Sequence, residues 1–120
     1  MKGLFIGLVL IAVSIGMYQY FKRYDQVVDQ LRQQCEQENW ESCHKVGEMR
    51  LKVRDYDDSV PVLRKACSQK YLMSCHLLGS HFIKFRMFKK AREILVPNCE
   101  QGDQKSCELV ELAKSKRSKK

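Results

Sequence analysis

Six cysteines stand at positions 35, 43, 67, 75, 99 and 107. They form three pairs eight residues apart, and each pair recurs after 32 residues without slippage. A fixed period of that size marks a repeat architecture, in which one supersecondary unit buries its apolar face only by stacking on the next. No other feature of the chain limits its possible folds as tightly.

Residues 35–66 and 67–98 align with nine identities in 32 positions, among them Ser42/Ser74, His44/His76, Gly47/Gly79 and Leu63/Leu95. The period also extends outwards, through Tyr24, Tyr56 and Phe88 and through Leu31, Leu63 and Leu95. The chain therefore reads as a late half-unit over about 22–36, two full units, and an early half-unit over about 105–114. Apolar spacing within a unit is helical, with Val46, Met49 and Val53 on one face, and Leu78, Phe82 and Phe85 on its counterpart. Asp55, Asp57, Asp58 and Ser59 suit the start of a following helix. Gln101-Gly102-Asp103 suits the turn before the last one. No segment alternates as a strand does, so short antiparallel helix pairs are expected.

The cysteines test this expectation. On one continuous helix, residues eight apart lie roughly 12 Å from each other, whereas a disulfide needs Cα atoms within about 7 Å. Each pair can bond only if the chain reverses between its members. Each bridge would then staple the second helix of one unit to the first helix of the next.

The segments CEQENWESCHKVG, CSQKYLMSCHLLG and CEQGDQKSC resemble the C-x7-C-x3-G core of the Sel-like repeat family. These are tetratricopeptide relatives, and the likeness is to the cysteine-rich repeat proteins of Helicobacter. It covers about 22–113 and implies a stacked α/α solenoid in a bacterial periplasm. It also raises a hydrolase reading, because members are described as penicillin-binding or β-lactamase-like. The sequence departs from the pattern at Glu111, which stands where Gly47 and Gly79 stand. Pro97 is a second departure and should kink or end its helix.

Gly3 to Met17 holds only apolar and small residues, extended by Tyr18–Phe21 and followed by Lys22-Arg23. That is long enough to span a hydrocarbon core of about 30 Å, with an interfacial aromatic belt at its end. The apolar run is longer than a cleaved signal needs and lacks an A-x-A-like site. Lys2 on one flank against Lys22 and Arg23 on the other leaves orientation nearly tied. Six pairable cysteines favour an oxidising compartment for the repeats.

The formal charge of +8 is concentrated at the end of the chain. Residues 114–120 (KSKRSKK) hold five cations and no acid, while residues 22–113 carry 16 Lys+Arg against 14 Asp+Glu. Such a run reads as a solvated, disordered tail. The body is nearly neutral, and no nucleic-acid recognition motif is present. Within it, the acidic RDYDDS of the first unit contrasts with the basic, Phe-rich FIKFRMFKKAR of the second. Phe82 and Phe85 are expected in the core there, with the flanking cations exposed.

Candidate chemistry is sparse. Structural zinc wants four converging ligands, whereas here cysteine pairs one unit apart would be separated by a helix spacing of about 10 Å. C-x7-C is not the C-x-x-C of a redox thiol pair. Ser42-Cys43-His44-Lys45 gives one S-x-x-K, without the S-D-N and K-T-G that β-lactam chemistry also uses.

The reading is an all-α chain: a short helical-repeat solenoid of 32-residue period behind an N-terminal transmembrane helix. Residues 1–21 form a signal anchor, 22–113 a repeat domain stapled by Cys35, Cys43, Cys67, Cys75, Cys99 and Cys107, and 114–120 a basic disordered tail. The expected role is a periplasmic adaptor or scaffold, anchored in the inner membrane with its N-terminus cytoplasmic. It would contact other envelope proteins through the inner face of the first helices, near Arg50, Arg54, Phe82 and Arg86. No cofactor, metal or nucleic acid is expected, and the tail offers a contact for anionic lipid. The alternatives are a β-lactamase-like or penicillin-binding hydrolase and a structural subunit of a larger membrane complex.

Overall fold

The computed structural model describes residues 1–118, with side-chain surroundings up to residue 116. Six α-helices follow one another, and no strand occurs among the described residues. They are α1 (Lys2–Glu36), α2 (Trp40–Lys52), α3 (Tyr56–Ser68), α4 (Leu72–Lys84), α5 (Phe88–Glu100) and α6 (Gln104–Ser118).

All five connections use one device. Glu38, Arg54, Lys70, Arg86 and Gly102 adopt positive φ, between 60° and 97°. The residue after each donates its backbone N–H to a carbonyl five positions back: Asn39 to Gln34, Asp55 to Arg50, Tyr71 to Ala66, Met87 to Phe82 and Asp103 to Asn98. This left-handed closure satisfies carbonyls that the helix end would otherwise orphan. Only the last turn uses glycine, so four L-residues hold a conformation costing roughly 1–2 kcal/mol each. Side-chain caps are uneven. Asn39 accepts from Ser42 N at 3.2 Å and Asp55 from Asp58 N at 3.3 Å, while Tyr71 and Met87, at the starts of α4 and α5, provide none.

The turns reverse the chain, so successive helices run antiparallel and their ends sort into two sets. Cys35–Cys43, Cys67–Cys75 and Cys99–Cys107 bridge the turns at one end, each with Cα atoms 4.7 Å apart. The turns at 53–55 and 85–87 lie at the other end. Short loops closed by disulfides contribute on the order of 2–3 kcal/mol each in the chain-entropy model, which suits a domain with a thin core.

That core is set by two close approaches. A Cβ added at Gly47 would lie 2.4 Å from the Leu63 side chain, and one at Gly79 would lie 2.7 Å from that of Leu95. Glycine is therefore required wherever α2 meets α3 and α4 meets α5. Glu111, at the third such position, is exposed. The main apolar cluster joins Leu63, Leu78, Phe82, Phe88, Leu95 and Leu109 with their neighbours.

Helix α1 is one uninterrupted rod across the boundary expected after residue 21. No Gly or Pro lies between Met17 and Glu36 to break it. Residues 8–21 are all exposed, whereas Val28 and Cys35 are buried against the following helices. Its first part is long and apolar enough to cross a membrane. The projecting rod explains a radius of gyration of 19.5 Å, against about 14 Å for a compact chain of this length.

Four expectations need correction. Phe85 is not a core residue: it is the C-cap of α4, one position past the helix, and 45% exposed. Val53 is exposed for the same reason at the end of α2. Pro97 does not end α5, which runs on to Glu100, where Leu95 packing and the 99–107 bridge hold it. The stretch read as a disordered tail is helical through Ser118. Lys and Ala are good helix formers, cations suit a helix C-terminus, and Lys114 lies 3.3 Å from Glu111. Lys119 and Lys120 lie outside the described residues.

Candidate functional site

Two neighbouring places in the stack differ in a way that defines the site. At the first, between α1 and α3, Arg32 meets Asp58 in a two-pronged contact, Nη1–Oδ1 at 3.1 Å and Nη2–Oδ2 at 2.6 Å. Arg50 of α2 approaches the same carboxylate, Nε–Oδ2 3.0 Å, as an ion pair without hydrogen-bond alignment. Its guanidinium lies 5.8 Å from the Tyr24 ring centroid, and the Tyr24 hydroxyl donates to the Met49 carbonyl at 3.1 Å. The Arg32 hydrogen bonds, ahead of the Arg32 and Arg50 charges, hold Asp58 below the usual carboxylate range. The same hydrogen bonding raises Arg32.

Thirty-two residues further on, Tyr24, Arg32, Arg50 and Asp58 are answered by Tyr56, Arg64, Phe82 and Lys90. The acid has become a lysine and the central arginine a phenylalanine. Phe82 is 2% exposed. The Arg64 guanidinium and the Lys90 ammonium each lie 6.0 Å from its ring centroid. Two like charges cannot close on each other as Arg32 and Asp58 do. A groove of about 510 Å³ stays open between α3 and α5, floored by Phe82 and walled by Val60, Pro61, Phe85 and Met87. His81 lies beside it, with its ring 4.9 Å from both Tyr56 and Phe85. Burial first, and then the charge of Lys84, lower its pKa, favouring the neutral ring.

The four residues expected to form a contact surface do not share one. Phe82 is buried and serves as groove floor. Arg50 is turned inwards between Tyr24 and Asp58. Arg54 and Arg86 are exposed at the turns, where their positive φ is part of the helix closure. The groove lies instead along the second helices of the pairs. It was open to discovery from the sequence, because the Asp58/Lys90 and Arg50/Phe82 exchanges appear once non-identical positions are compared.

The S-x-x-K segment assembles no activated serine. Ser42 is buried and donates to Gln34 Oε1 at 2.7 Å, while Lys45 pairs with Glu41 at 3.3 Å. The histidines after the second cysteines have packing roles. His44 Nδ1 meets Ser74 Oγ at 2.9 Å, and burial lowers its pKa. His76 Nε2 lies 2.6 Å from Asp103 Oδ2, which also accepts from the Ser106 hydroxyl. The Ser106 hydrogen bond, followed by that of His76, lowers the Asp103 pKa. Here the acid sits between serine and histidine, whereas nucleophile activation places the histidine between the other two. Sequence reading missed this contact because the three residues come from α4, α6 and the turn before α6. No three His, Cys, Asp or Glu side chains are placed to hold a metal among the described residues.

The chain matches no family model, no curated protein and no solved structure in comparisons with each.

Proposed function

We propose that this protein is a membrane-tethered helical-repeat adaptor of the Sel-like type, whose α3–α5 groove receives a segment of a partner protein. The open groove between α3 and α5, with its buried aromatic floor, carries the reading. Clefts with apolar walls and a few convergent polar groups are where ligands bind, and stacked helix pairs present such surfaces. The repeat reading is supported by matching 13-residue helices beginning at Trp40 and Leu72, and at Tyr56 and Phe88. The tether is supported by the exposed apolar start of α1, and the periplasmic placement by three disulfides, which persist in oxidising compartments. The N-terminus is then cytoplasmic, and the partner is another envelope protein.

A photo-crosslinking residue at Val60 or Met87, in the full chain produced in cells, tests this. The expected result is a discrete protein adduct from both groove positions and none from the exposed Lys45 on α2. Equal adducts from Lys45, or none from the groove, would remove the adaptor reading.

A further inference from the structure

We infer that the groove recognises an acidic side chain on an apolar segment of the partner, whose carboxylate takes the place that Asp58 holds one unit earlier. The inference rests on the adaptor reading and adds the chemistry of the occupant. At the first place, Asp58 gathers Arg32 and Arg50 and fills the space between α1 and α3. At the second, Arg64 keeps the position of Arg32, but Lys90 replaces the carboxylate. Among the described residues, neither Arg64 nor Lys90 has a carboxylate partner. Asp57, the acid on the groove rim, pairs with neither.

Both cations therefore stand over the Phe82 ring at the exposed mouth of the groove, without a counter-ion. An incoming carboxylate gains from two cations at once, and Arg offers it a two-pronged hydrogen-bond geometry. A small free anion would leave the walls uncovered. Val60, Pro61, Met87 and the 45% exposed Phe85 call for apolar groups beside the charge. An acidic residue flanked by a large apolar one meets both demands.

The first unit also supplies the test. In Lys90→Asp the chain should fill its own groove, because the introduced carboxylate can close on Arg64 as Asp58 closes on Arg32. Full-length protein in nanodiscs, labelled with ¹³C at the methionine methyls, is titrated with acetyl-Glu-Phe-amide and with its uncharged twin, acetyl-Gln-Phe-amide. The Met87 methyl on the groove wall is the reporter. The expected result is a saturable Met87 shift with the Glu peptide and at least about tenfold weaker binding of the Gln peptide. The Glu response should be lost in both Lys90→Asp and Arg64→Gln. Lys90→Asp should melt no lower than the parent, which separates a filled groove from an unfolded one.

An equal response to the two peptides, none to either at the solubility limit, or binding retained in a folded Lys90→Asp would overturn the inference. The adaptor reading fails separately. A groove adduct in cells that survives Lys90→Asp would leave an adaptor with no preference for acid. Loss of that adduct together with the Glu-peptide response supports both.

Discussion

Helices α2 and α3 match α4 and α5 in length and in their turns, yet opposite chemistry surrounds Asp58 and Phe82. At the first place, Arg32, Arg50 and Asp58 form a partly buried charge cluster, and Asn39 and Asp55 cap the helices. At the second, Phe82 joins Leu78, Phe88 and Leu95 in the main apolar cluster, and neither helix start has a side-chain cap. The backbone arrangement thus depends on the glycine–leucine approaches, the bridges and the left-handed turns common to both places. The side chains at the centre are free to differ. One place commits its central positions to internal pairing, and the other leaves two cations facing outwards over a ring.

Truncation should expose this difference most strongly. Phe82→Ala removes a buried ring and should cost about 3–5 kcal/mol. Arg50→Ala, at the matching position, should cost about 1 kcal/mol, since partly exposed ion pairs are weak. Urea unfolding of the full chain in detergent, read by helical circular dichroism, checks both. Equal losses would mean that the charge cluster does the work of a core.

Titration sharpens the contrast. The folded pKa of Asp58 is lowered, chiefly by Arg32. Its stabilisation is therefore fully present above the unfolded carboxylate value of about 4, and is lost as the pH falls from there through the lower folded value. Asp58→Asn should cost about 1 kcal/mol at neutral pH. That gap should close in acid, and also in high salt, which screens exposed pairs. Phe82→Ala should keep its full deficit under both conditions. A gap between Asp58→Asn and the parent that does not change with pH would assign the loss to packing.

What the sequence makes legible here follows from how local the cause is. Eight-residue cysteine spacing demands a chain reversal, because a helix holds such residues too far apart. Asp55 before an acidic first turn and Gly102 before α6 act on their own neighbours and can be read directly. The groove has no local cause. It arises because Lys90, 26 residues after Arg64, is the wrong charge to close on it. Phe85 departs from expectation for a geometric reason: helical periodicity places it on the buried face, but the helix ends one residue earlier. Arg50 departs because its partners lie on two other helices, which no spacing within α2 reveals.

The smallest prediction is one where the two places should behave alike. Arg54 and Arg86 both hold φ of 60°, and each is exposed. Glycine would relieve left-handed strain of roughly 1–2 kcal/mol, but would add unfolded-state entropy worth about 0.4–1 kcal/mol. Arg54→Gly and Arg86→Gly should each gain no more than about 1.6 kcal/mol and agree within about 0.3 kcal/mol, a scatter typical of independent sites. Thermal melts of the two variants in the same detergent check this. Agreement would confine the difference between the two places to their central side chains. A larger effect at Arg54 would tie the turn to the Arg50–Asp58 cluster beside it, and the charge cluster would then help to set the backbone as well as fill the space.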